Sequence, residues 1–289
     1  MVKGSKTALV TGGGGFIGRA TCEALKAAGW TVLEAGRKKT ALGSYPIVLD
    51  LSNPATFNAL DTAPHFDTLI HLGARVALAG EPESDLYVTN VLSTGYIAYL
   101  AKRRNAHLIF ASSIAVHGLG ASLIEAETPI DPDTSYARSK WLAEQLIRAA
   151  APESCILRIG GVYGYQGPGH LGLNRAIAGA LRGEAPQLVG KGIARRSYIY
   201  VKDLGQKIAD AADRNLSGTH LSPGEETLSF GAMLRTTCDV LAPEISPVMI
   251  PGDEAVDQIV APSSVLKKGR SFREALLDIQ SDAARENAS

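Results

Sequence analysis

The chain lacks any apolar run approaching the roughly 18 residues that a membrane span requires, and no charged-then-apolar leader opens it. Neither a membrane partner nor export is therefore expected. An excess of one charge is also missing. Basic and acidic residues stand at 29 each in 289 residues, so nothing points to nucleic acid or an anionic surface. Only three cysteines occur, Cys22, Cys155 and Cys238, without C-x-x-C spacing. An odd, scattered set excludes a disulfide framework and suits buried thiols in a reducing compartment. There is no internal repeat or low-complexity segment, and no metal site is expected. What remains is 45% hydrophobic and 20% charged, as expected of a cytoplasmic α/β protein with a sizeable core.

Short apolar runs alternate with helical patterns. Strands are expected at 7–10, 31–35, 47–49, 67–72, 107–112 and 154–159, and their near-continuous hydrophobicity suits burial on both faces. Stretches 19–28, 84–104 and 135–151 carry apolar residues at three- and four-residue spacing, which reads as helix. Such alternation predicts a Rossmann-like, doubly wound parallel sheet. The rhythm changes near residue 160, where "GGVYGYQGPGHLGLN" is rich in turn residues. The expected organisation is a dinucleotide-binding domain over 1–160 and a smaller substrate-binding lobe over 161–289, with 197–222 returning to the first sheet. The polar end "QSDAARENAS" reads as frayed.

Directly after the first strand, "TALVTGGGGFIGRA" satisfies both G-x-G-x-x-G and G-x-x-G-x-x-G, the latter through Gly12, Gly15 and Gly18. A glycine turn between strand and helix lets the backbone approach a pyrophosphate, whose charge the helix N-terminus favours. An NAD site usually adds a carboxylate at the end of the second strand. That carboxylate is missing here. Glu34 falls inside the strand, and "AGRKKT" continues with Gly36, Arg37, Lys38 and Lys39. A guanidinium without an acid suits a 2′-phosphate, so NADP(H) is preferred and NAD(H) is the alternative. The competing reading of 37–39 is a solvated basic turn.

In "TSYARSK", Tyr136 and Lys140 lie one helical turn apart on one face. An ammonium beside a phenol lowers the phenol pKa and makes tyrosine a proton donor and acceptor for a reacting hydroxyl or carbonyl. The plainer alternative pairs Lys140 with Glu144 and leaves Tyr136 as packing. Ser112 and Ser113, ending "LIFASS", put hydroxyls at the sheet edge where ligands of such folds bind, and favour the catalytic reading.

These motifs, in this order from the glycine loop to about Asp203, resemble the extended short-chain dehydrogenases/reductases, the NAD-dependent epimerase/dehydratase group. The resemblance implies that Gly12, Gly15, Phe16, Ile17 and Gly18 contact the cofactor. It places Asp50 and Leu51 of "VLDLSNP" near the adenine, and Leu72 and Gly73 of "DTLIHLGA" beside the cofactor, Gly73 standing for the usual alanine. It further implies Asn90 as a supporting group, Ser113 as the catalytic serine of "SSIAVHG", and Tyr136 and Lys140 as acid/base and partner, both also cofactor contacts. Arg196 of "RRSYIYVKDL" matches an arginine that often contacts a substrate diphosphate; the alternative is a surface pair with Arg195. A homodimer is expected on the same ground.

Departures narrow the chemistry. Dehydratases of the family carry Asp-Glu where this chain has Ile114 and Ala115, so dehydration is not expected. His117 stands in place of tyrosine, as a substrate contact or as packing. Gly160 and Gly161 replace Pro-x-Asn features. The expected function is an NADPH-preferring oxidoreductase acting on a carbonyl or hydroxyl of a sugar or sugar-nucleotide. The alternative is a sugar-nucleotide 4-epimerase using the same residues, and the third reading is a silent NADP-binding sensor.

Overall fold

A computed structural model describes residues 6–38, 45–76 and 83–287; Lys39 of the basic turn and the last two residues of the polar end lie outside the described residues. The first half runs β1 (Thr7–Thr11), α1 (Phe16–Ala27), β2 (Thr31–Gly36), β3 (Tyr45–Val48), α2 (Asn58–Asp61) and β4 (Thr68–His71). It continues with α3 (Glu83–Tyr87), α4 (Ser93–Arg103), β5 (His107–Ser113), β6 (Leu123–Ile124), α5 (Ser135–Ala150) and β7 (Cys155–Ile159). Then follow β8 (Val162–Tyr163), α6 (Gly172–Ala180), β9 (Gln187–Val189), β10 (Arg195–Arg196), β11 (Ile199–Tyr200), α7 (Val201–Asp213) and β12 (Gly218–Ser222). The chain closes with β13 (Leu228–Ser229), α8 (Phe230–Leu241), β14 (Val248–Ile250), β15 (Ile259–Val260) and α9 (Phe272–Asn287).

Two compact units emerge. The first comprises residues 1–118, 129–159 and 204–220, and the second 119–128, 160–203 and 221–289. The chain passes from the first unit to the second at Ile159/Gly160, after a shorter excursion into the second over 119–128.

The large sheet has the strand order β12-β7-β5-β4-β1-β2-β3, a Rossmann-like arrangement. All pairs from β3 through β7 are parallel. From β1 the chain builds outward to β2 and β3, then restarts at β4 on the other side. That reversal between β1 and β4 is the switch point where ligands of open α/β sheets bind. The strands read as apolar runs because both faces are covered. Leu9, Leu33, Leu69, Leu108 and Phe110 join the helix residues Ile97, Leu100, Ala143 and Ile147 in one buried cluster. Each such side chain contributes roughly 1.5–3 kcal/mol by leaving water. On α1, Leu25 and Cys22 are fully buried, and Gly205 of α7 approaches the Ala20 carbonyl so closely that a Cβ would lie 2.6 Å from it.

The helix expected at 84–104 is interrupted: α3 and α4 are joined by a π-turn over Val88–Leu92. The widened turn carries Asn90 into the interior, where its side chain finds partners described below.

Unit 2 is built on shorter pieces. It has the two-stranded pairs β10/β13, β8/β11, β9/β14 and β6/β15, and a small core in which Ala176 of α6, Leu188 of β9 and Leu234 of α8 meet, with Phe230 against them. Tyr163 packs against Tyr200 and Phe272, and Tyr200 donates to Asp278 of α9.

Candidate active site

The glycine loop follows β1 at the switch point. The Gly12 amide donates to the Ala35 carbonyl at 2.8 Å, which pins the loop to β2. Gly12 has a φ of +73°, and a Cβ on it would lie 2.7 Å from the Gly73 nitrogen. Gly73 in turn has Leu51 Cδ1 2.5 Å from where its Cβ would stand. This contact accounts for glycine where alanine is usual. At Gly18 a Cβ would come within 2.0 Å of the Gly12 carbonyl oxygen, so α1 presses directly on the loop. Gly15 is the N-cap of α1, extended and exposed, and no side chain caps the helix; its first turn holds no acidic residue. The free N–H groups around Phe16, Ile17 and Gly18 thus form an open anion site, which fits a dinucleotide pyrophosphate.

At the end of β2, Glu34 is buried inside the strand while Arg37 and Lys38 are exposed beyond Gly36. Asp50 accepts from the Ser52 amide and hydroxyl at 2.9 and 2.7 Å. These bonds, with the nearby charge of Arg37, hold its carboxyl below the usual range. Arg37 and Asp50, distant in sequence, therefore share one end of the sheet.

Ser113 ends β5, and its hydroxyl accepts from the Ala115 amide at 3.2 Å. Tyr136 opens α5, where the Thr134 hydroxyl caps the helix by accepting from the Ala137 amide at 3.1 Å. The Ser113 hydroxyl lies near enough to the Tyr136 phenol to act on it, in the sense that lowers its pKa. Lys140 is also present, but its ammonium donates to the Ala111 carbonyl at 2.7 Å and stands 4.8 Å over the Phe110 ring. Its distance to the centre of the Tyr136 ring is 6.0 Å.

The expected depression of the tyrosine pKa is overturned in this state. Burial pushes the Tyr136 phenol up to about 12, and Ser113 offsets only part of that. The lysine is committed to a backbone carbonyl, so the phenol is a protonated donor. Burial lowers Lys140 itself to about 8, although the Glu144 charge acts to raise it.

The Lys140–Glu144 pairing weighed from spacing does not form. Glu144 is fully buried and accepts from Ser112 Oγ at 2.5 Å, Arg158 Nε at 3.1 Å, Arg158 Nη2 at 2.9 Å and Arg148 Nη2 at 2.8 Å. Burial alone would raise its pKa, but these donors hold the carboxyl below its ordinary value. His117, the residue in place of tyrosine, is buried between the Pro129 carbonyl and Arg158 Nη1 at 3.0 and 3.2 Å. Packing, not substrate contact, is the role its surroundings allow. Asn90 donates to Ser139 Oγ and the Arg75 carbonyl at 3.0 and 2.9 Å and accepts from the Arg75 amide at 2.8 Å. Ser139 passes the bond on to the Tyr136 carbonyl at 2.7 Å.

Motif reading missed His71. Its ring lies between the Thr11 and Thr94 hydroxyls at 2.6 and 3.0 Å. Thr94 donates to the Asn90 carbonyl, which assigns the ring proton to Nε2. Burial, with the Lys140 charge adding to it, drops the His71 pKa to about 3, so the ring is neutral. A buried histidine inside a strand was the available signal.

Arg196 belongs to unit 2. Arg195 is tied to Asp257 at 2.9 Å. Arg196 lines a pocket of about 500 Å³ with Arg175, Tyr198 and Phe230. Gly161 is required there: a Cβ would meet the Tyr198 ring at 1.8 Å. Among the described residues no three His, Cys, Asp or Glu side chains gather as a metal site, and no helix is long and apolar enough to cross a membrane.

The strand order and the glycine loop at the switch point define a Rossmann-type α/β protein, with a serine, a tyrosine and a lysine near the carboxyl half of β5. More narrowly, the chain belongs to the NAD dependent epimerase/dehydratase family, whose model matches residues 8–222. It is 30% identical to the spore coat polysaccharide biosynthesis protein SpsK of Bacillus subtilis (strain 168) over 55% of this chain. That match spans just over half the relative, 54% of its length. It is 28% identical to the UDP-glucose 4-epimerase of Azospirillum brasilense, over 94% of this chain and 86% of that one. The fold matches the UDP-glucuronic acid 4-epimerase from Bacillus cereus in complex with NAD, with a TM-score of 0.81, 19% identity, and 98% and 100% of the two chains covered.

Two outcomes follow from this geometry. Glu144→Ala strands Arg158 in the interior and should destabilise the fold by about 3–5 kcal/mol in urea unfolding, whereas Glu144→Leu with Arg158→Leu should recover most of that loss. A single-variant loss within the scatter of surface substitutions would contradict the role of the pair. The Lys140 ε-carbon, followed by NMR with ¹³C-lysine, should titrate near the value of about 8 set by burial, charged below and neutral above it. Titration at the ordinary lysine value would contradict that burial.

Proposed function

We propose that this protein is an NADP(H)-preferring oxidoreductase that reduces a carbonyl, or oxidises the corresponding hydroxyl, on a sugar or sugar-nucleotide. The observation that carries the cofactor choice is the end of β2, where Gly36 and the exposed Arg37 stand and the carboxylate of that strand, Glu34, is buried inside the sheet. A bound nicotinamide supplies or accepts the hydride. Every other task falls to the chain. The protonated Tyr136 phenol gives its proton to the carbonyl oxygen as that oxygen gains charge, and Ser113 holds the same oxygen. Lys140 supplies positive charge beneath them. The N-terminus of α1 and Arg37 bind the phosphates, and Asp50, Leu51, Leu72 and Gly73 line the cofactor.

A sugar-nucleotide 4-epimerase is the second reading, favoured by the names of the Azospirillum and Bacillus cereus proteins. Unit 2 serves as the substrate lobe. A homodimer is the proposed assembly, since Leu92, Tyr99, Leu142 and Leu146 at and beside α4 and on α5 are large, apolar and exposed.

Arg37→Asp should weaken NADPH binding by roughly tenfold or more and NADH binding far less, measured by calorimetry. Equal losses would remove the NADP preference. With a panel of sugar and sugar-nucleotide carbonyls, turnover should consume NADPH steadily, and Tyr136→Phe should slow it by about 10²–10⁴-fold while dinucleotide binding persists. Interconversion of sugars without net loss of NADPH absorbance would select the epimerase.

A further inference from the structure

A chain of buried hydrogen bonds runs through unit 1 from the glycine loop to the helix that carries Tyr136. It starts at Thr11, the residue before Gly12, whose hydroxyl lies 2.6 Å from His71 Nδ1. His71 Nε2 lies 3.0 Å from the Thr94 hydroxyl, and Thr94 donates to the Asn90 carbonyl at 2.7 Å. The Asn90 side-chain amide donates to Ser139 Oγ at 3.0 Å, and Ser139 donates to the Tyr136 carbonyl at 2.7 Å. Thr11, His71, Thr94, Asn90 and Ser139 are all buried, so bulk solvent does not compete for these bonds.

The protons can be placed. Thr94 spends its proton on a backbone carbonyl, so its oxygen faces His71 as an acceptor and Nε2 carries the ring proton. Nδ1 is then the acceptor and Thr11 the donor. Every bond points the same way, from the loop toward Tyr136, and in the run from hydroxyl through imidazole to hydroxyl each bond polarises the next. A neutral imidazole offers the one acceptor and one donor that this order needs. Phe110 steadies the ring by stacking on it, with centroids 5.7 Å apart. His71 also leads into Leu72 and Gly73, and a Cβ on Gly12 would lie 2.7 Å from the Gly73 nitrogen. It therefore meets the loop twice, through the Thr11 hydroxyl and through the backbone packed on Gly12.

A histidine that only satisfied its own nitrogens could take any two partners. These two are the residue before the first loop glycine and the residue one helical turn after Asn90. We propose that His71 is a positioning residue: by joining Thr11 to Thr94 it holds the dinucleotide loop and the Tyr136 end of α5 in one register. A cofactor seated on the loop then meets the phenol already in place. This rests on the reading of Tyr136 as the proton donor.

The test reads the Tyr136 carbonyl directly. Tyr136–Ala137 is the only Tyr-Ala pair in the sequence, so ¹³C-carbonyl tyrosine with ¹⁵N-alanine gives one cross-peak in a triple-resonance NMR spectrum of the full chain. Ser139→Ala marks where that signal goes when the bond to the carbonyl is lost. Thr11→Val, a nearly isosteric change at the far end of the chain, should move the signal toward that position, and His71→Phe should do the same. His71→Gln, whose amide keeps a donor and an acceptor, should return it toward wild type. Thr68→Val is the control: Thr68 is buried in the same strand as His71 and its hydroxyl has no hydrogen-bond partner among the described residues, so the signal should stay. A wild-type signal in Thr11→Val or in His71→Phe, no recovery in His71→Gln, or an equal movement in Thr68→Val would each overturn the proposal. Should His71→Phe fail to fold, Thr11→Val decides. The signal is read without cofactor or substrate, so its outcome is separate from the proton-donor role, which the turnover of Tyr136→Phe judges.

Discussion

The buried carboxylate of Glu144 is the constraint on which the rest of the site depends. It draws donors from β5 through Ser112, from β7 through Arg158, and from its own helix through Arg148. A charge taken out of water is tolerable only when it is surrounded in this way, and the surrounding groups then have one arrangement. That arrangement sets α5 against the carboxyl ends of β5 and β7. Ser113 follows Ser112, and Lys140 lies one turn before Glu144, so fixing the carboxylate fixes the register of both. Arg158 carries the constraint onward to His117 and, through it, to Pro129, closing the loop that follows Ser113.

A second network holds the same helix from the opposite side. Asn90, carried inward by the π-turn, bonds Arg75 beyond β4 and reaches the Tyr136 carbonyl through Ser139. Tyr136 is thus supported at its backbone by one network and Lys140 at its neighbour by the other, while neither network consumes the phenol. The low polarity needed for burial then acts on every titratable group nearby in the same sense. It favours the neutral form of Tyr136, His71 and Lys140 alike. The ammonium of Lys140 is nonetheless balanced through space by Glu144.

Much of unit 1 was legible in the sequence because its signals are local. Strands buried on both faces appear as unbroken apolar runs, and the glycine loop announces itself by position between strand and helix. The sheet edge follows from the order of elements. Partner choice is not local. Spacing alone could not say whether Lys140 turns to Glu144 or elsewhere, because Ser112 and Arg158, which claim Glu144, sit on separate strands. The direction of the Tyr136 shift was misjudged for the same reason: proximity in the helix was visible, whereas burial and the Ala111 carbonyl were not. The interruption by a π-turn left no mark in the periodicity of 84–104, since widening one turn preserves an apolar face on each side.

Unit 2 was the least legible part, and the physical reason is its dependence on pairs of strands only two or three residues long. Such strands have too few positions to display alternation, and their partners lie far away: β6 pairs with β15, and β9 with β14. The pocket around Arg196 has the same character: its lining is drawn from 172–198, Phe230 and 253–255, stretches far apart in the chain, so no local pattern could announce which side chains meet there.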